Sequence, residues 1–70
     1  MSKKNLDKLI EETVILLNER EADRDVILAV VSILKTEEHF EKMIDILKKT
    51  QRPGREFLIG KTVLIADGDI

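Results

Sequence analysis

Nine consecutive positions in the middle of a 70-residue chain, Val26-Ile-Leu-Ala-Val-Val-Ser-Ile-Leu34, are apolar except for Ser32. A helix built from such a run carries apolar side chains on all sides and must be covered on all sides. So short a chain has few elements to cover it with, since domains of this size bury only about 60% of the surface their unfolded chains expose. The run is well below the roughly 20 apolar residues that cross a bilayer, so its cover has to be protein. At about 100° per residue, Val26, Ile27, Val30, Ile33 and Leu34 share one arc. Leu28 points almost the opposite way and Val31 lies beyond the flank, so these two ask for cover from elsewhere.

The neighbouring segments predict helices by their periodicity. Leu6, Leu9, Ile10, Val14 and Leu17 recur at three- and four-residue spacings, giving a first helix over about residues 4–19 that Ser2 or Asn5 could cap. The stretch Asn18–Asp25 is polar apart from Ala22 and reads as a connector, with Asp23 or Asp25 placed to cap a second helix that ends near Lys35. Thr36 suits the cap of a third helix, with Glu37 and Glu38 in its first turn and Lys48 and Lys49 in its last. Its apolar stripe is Phe40, Met43, Ile44 and Leu47, and Glu38 with Lys42 and Asp45 with Lys49 form pairs one turn apart.

Arg52-Pro53-Gly54 stops that helix. The sequence then changes character: Phe57-Leu-Ile, Gly60-Lys61 and Thr62-Val-Leu-Ile65 are rich in β-branched residues around a glycine that suits a hairpin turn. The expected fold is mainly α, a three-helix bundle with a short C-terminal β-hairpin in one small domain over residues 1–70. Four short helices are the alternative, because both sides of the last segment are apolar and Asp67-Gly68 could end either element.

Ile15 stands opposite the Leu6–Leu17 stripe of the first helix, and Ile46 lies off the stripe of the third. Together with Leu28, Val31 and the hairpin residues Phe57, Ile59, Val63 and Ile65, they form the expected interface of a chain that self-associates, as a dimer, and binds a partner protein. Charge is dense but nearly balanced, 12 basic against 14 acidic residues. Its one local excess is the basic patch Lys48, Lys49, Arg52, Arg55 and Lys61, against which only Glu56 stands. A winged-helix nucleic-acid binder is one alternative function, since three helices and a hairpin occur there in that order. The acidic start of the third helix would repel phosphate, and two phenylalanines supply no stacking platform, so nucleic acid is not the expected partner. An oligomer that sequesters an anionic small ligand is the other alternative.

Catalytic and cofactor motifs fail on inspection. Gly54 is separated from Gly60-Lys61-Thr62 by five residues where a phosphate-binding loop has four. His39 is the sole histidine, and Lys35, Lys42 and Met43 lie one turn from it, which is no metal-ligand set. Asp67-Gly68-Asp69 starts like a calcium loop but lacks the closing glutamate. The expectation is a regulatory or protein-binding module, not an enzyme and without cofactor. With no cysteine and no signal-like segment, it is expected in the cytoplasm, off any membrane.

Overall fold

The computed structural model describes the backbone of residues 2–67 and the side chains of residues 5–67. It contains α1 (Ser2–Glu19), α2 (Arg24–Ile33), α3 (Glu37–Lys49) and α4 (Arg55–Asp67). α1 packs on α3 and α2, and α4 packs on α2 and α3, so the four helices close a ring around one core. The expected hairpin is not formed: there is no strand among the described residues, and 55–67 is the fourth helix. Asn5 lies inside α1 rather than at its cap, and Gly68 and Asp69 fall outside the described residues.

The reason α4 is a helix is its inner face. Leu58, Thr62 and Ile65 stand at i, i+4 and i+7, and all three are fully buried. A buried threonine is tolerated there because its Oγ1 donates to the Leu58 carbonyl at 2.6 Å, which leaves no polar group unpaired. That packing outweighs the β preference of Ile59, Val63 and Ile65 and the cost of about 1 kcal/mol that Gly60 brings to a helix interior. Pro53 is buried before the helix, and the Gly54 carbonyl accepts its first bond, from the Leu58 N–H at 3.0 Å.

The apolar run of α2 finds most of its cover within the chain. Val26, Val30 and the capping residue Leu34 join Leu17, Phe40, Met43, Leu47, Leu58 and Ile65 in one contiguous core. The stripe of α3 is buried over Phe40, Met43, Ile44 and Leu47, as its spacing predicts, and Thr36 Oγ1 accepts the His39 N–H at 3.2 Å. Asp23 occupies the N-cap position of α2, but its carboxylate caps no amide and lies instead 3.9 Å from Arg55.

Two devices hold the α1–α2 connector. The Ala22 N–H donates to the Leu17 carbonyl and the Glu21 N–H to the Asn18 carbonyl, both at 3.0 Å, which closes α1 in a Schellman motif with Glu21 at φ 60°. Beside it, Arg20 reaches across to the end of α3, where Nε donates to the Thr50 carbonyl at 2.7 Å and Nη2 to the Leu47 carbonyl at 3.0 Å. The Leu47 carbonyl also accepts the N–H of the capping Thr50, at 3.3 Å, and a guanidinium from another helix completes the cap of α3.

Glu21→Gly is expected to raise stability by about 0.5–1 kcal/mol, because glycine takes the left-handed conformation without a Cβ penalty. A rise in the urea midpoint at unchanged slope checks it; a fall would contradict it. Arg20→Ala is expected to cost about 2 kcal/mol in the same assay, the worth of charge-assisted bonds to two half-buried carbonyls.

Candidate interaction surface

α4 is apolar outside as well as inside. Opposite Leu58, Thr62 and Ile65 lies Gly60, with Phe57 and Leu64 on one flank and Ile59 and Val63 on the other. These four large side chains are 37%, 39%, 37% and 42% exposed respectively. Gly60 has an ordinary helical backbone, and a Cβ added there would meet nothing within 4 Å. Neither a turn nor a close approach inside the chain therefore requires glycine at this position.

Two further exposed aliphatics stand on other helices. Leu28 is 62% exposed and Ile15 51%, the two most open large apolar residues described. Leu28 forms one wall of an open groove between α1 and α2 of about 520 Å³, lined also by Val14, Asn18, Ala22, Arg24 and Ile27.

The expected interface residues thus divide. Ile15, Leu28, Phe57, Ile59 and Val63 are on the surface; Val31 and Ile46 are half-buried, Ile46 against the core. Ile65 is fully buried and cannot serve a partner while the chain is folded, a correction that follows from helical rather than alternating geometry in this segment. Leu64 belongs to the surface but carries no such signal in a hairpin reading, in which it would point to the face opposite Val63 and Ile65.

The basic residues do not form an open cationic field. Lys48 lies 3.6 Å from Glu12, Lys49 3.1 Å from Asp45, Arg52 3.8 Å from Glu21 and Arg55 3.9 Å from Asp23. The ammonium of Lys61 sits 5.6 Å from the centre of the Phe57 ring. Such exposed pairs add little stability, but they interleave opposite charges where a phosphate-binding surface needs one sign. The segment read as a possible wing is α4, so the winged-helix order of elements is not present either.

His39 is half-buried. Its Nδ1 is enclosed without a hydrogen-bond partner, beside an open recess lined by Ser32, Ile33, Lys35 and Ala66. Among the described residues no group of three or more histidines and carboxylates is placed to hold a metal ion. Nor is any described helix long and apolar enough to cross a membrane.

No family model, curated protein or solved structure matches this chain. Its surface chemistry therefore carries the functional reading.

Leu28→Glu is expected to leave folding stability within about 0.5 kcal/mol of the parent, because the side chain is mostly in water already. Ile65→Ala is expected to cost about 2–4 kcal/mol, the range for emptying a buried aliphatic site. Urea denaturation of both variants checks the pair; equal losses would contradict the division of apolar residues between core and surface.

Proposed function

We propose that this chain is a non-catalytic protein-binding module that self-associates through exposed apolar helix surface and acts by occupying the surface of another protein. The observation that carries the reading is the set of six large exposed hydrophobics, Ile15, Leu28, Phe57, Ile59, Val63 and Leu64, on a molecule of 8.0 kDa. Single exposed aliphatics are ordinary, but four around the outer side of one helix make a surface whose burial is favourable. A protein whose core is already closed gains from covering that surface with a second chain. A cytoplasmic setting belongs to the same proposal, since the fold is held without cysteine.

Sedimentation equilibrium of the full chain tests it. The weight-average mass is expected to rise with concentration from one chain toward two across the micromolar range, with little dependence on salt, because the surface is apolar rather than charged. A mass of one chain at every concentration would overturn the proposal. Association that weakens steeply with salt would transfer the weight to a charge-driven contact.

A further inference from the structure

We infer that α4 is a latch: it opens on its own, by undocking and unwinding, while α1 and α3 stay joined, and in opening it uncovers the inner strip of α2. The inference does not depend on the self-association proposed above.

The four helices are not fastened alike. α1 packs chiefly on α3, and α2 chiefly on α4, so the core lies between two helix pairs. The α1–α3 pair is joined by hydrogen bonds from Arg20 to the Leu47 and Thr50 carbonyls, and α3 buries Phe40, Met43, Ile44 and Leu47. Among the described residues no hydrogen bond joins α4 to another helix. Its side-chain bond, from Thr62 to the Leu58 carbonyl, stays inside the helix, and its ion pair, Arg55 with Asp23 at 3.9 Å, is exposed and adds little. What holds α4 is mainly the burial of Leu58 and Ile65, with Thr62 between them adding a methyl group where a full aliphatic side chain would bury more.

The helix is also weak by itself. Phe57, Ile59, Thr62, Val63 and Ile65 come from the lower half of the helix-propensity scale, and Gly60 from near its bottom. Glu56 suits the first turn, but Asp67 sets a negative charge in the last turn, where the helix end is itself negative. α3, by contrast, has Thr36 capping its start and Lys48 and Lys49 at its end. Thirteen residues are marginal as an isolated helix even in alanine-rich sequences. Once α4 leaves the core, its sequence does not keep it helical, so undocking and unwinding are one event.

α4 is joined to the other described helices through the single connector 50–54, so it can leave without carrying another helix with it. Leu17 of α1 and Phe40, Met43 and Leu47 of α3 then still pack together, beside the Arg20 bonds. The surface left bare is Val26 and Val30 of α2, which are 1% and 0% exposed when the latch is closed.

Native-state hydrogen exchange on the full chain, at urea concentrations below the unfolding transition, tests the inference. Amides of residues 60–65 are expected to show at least about tenfold less protection than those of residues 13–17 and 43–47. Their protection should also fall with urea less than about half as steeply, because an opening confined to α4 exposes less surface than unfolding does. Gly60→Ala is expected to raise the protection of residues 60–65 about fivefold, since the added Cβ meets nothing within 4 Å and changes only the strength of the helix. Equal protection and equal urea dependence in α1, α3 and α4 would show that α4 opens only when the whole chain unfolds, and would overturn the inference. Low protection that Gly60→Ala leaves unmoved would separate the opening from the strength of the helix, and would overturn it as well.

Discussion

The cover of α2 by α4 is the contact on which the rest of this structure depends. α2 is short and apolar nearly throughout, and α1 alone covers only part of it. Docking α4 completes the burial of Val26 and Val30 and brings Leu58 and Ile65 into the same core. The buried cluster is contiguous across all four helices, which is how 70 residues without disulfides can close a core at all.

That solution has a consequence at the surface. α4 must present an apolar face inward to serve α2, yet its sequence is apolar outward too, so closing the core leaves a second apolar face in water. The same holds on a smaller scale for Leu28, which the geometry of α2 turns away from the core that takes Val26 and Val30. The connections reinforce the inner arrangement. Arg20 fastens the end of α1 to the end of α3 through backbone carbonyls, while the exposed pairs Glu21–Arg52 and Asp23–Arg55 beside it add little.

Much of this is legible in the sequence, and the illegible part has a physical cause. α3 is readable because Phe40, Met43, Ile44 and Leu47 alternate with charged residues, so period and polarity agree. α4 is not, because its inner face contains a threonine and its outer face contains Phe57, Ile59, Val63 and Leu64. With no polar side to define it, helix and hairpin fit the letters equally well, and β-branched residues tilt the balance the wrong way. Gly60 reads as a turn for the same reason, whereas the structure places it mid-helix on the exposed face. Ile15 and Leu28 are readable as surface residues because each opposes a well-defined stripe. Arg20 leaves no local trace, since its partners lie 27 and 30 residues away and are backbone carbonyls that no side-chain pattern announces.

The most direct test of the account is an isotope-filtered nuclear Overhauser experiment on a mixture of labelled and unlabelled chains, which separates contacts within a chain from contacts between chains. Contacts of Leu58 and Ile65 with the valines of α2 should lie within one chain, and contacts between chains should come from the exposed residues Phe57, Ile59, Val63 and Leu64. Contacts between chains from Leu58 or Ile65 would mean that the core itself is shared by two copies, and would contradict the claim that one chain closes its own core and leaves the outer face of α4 for another.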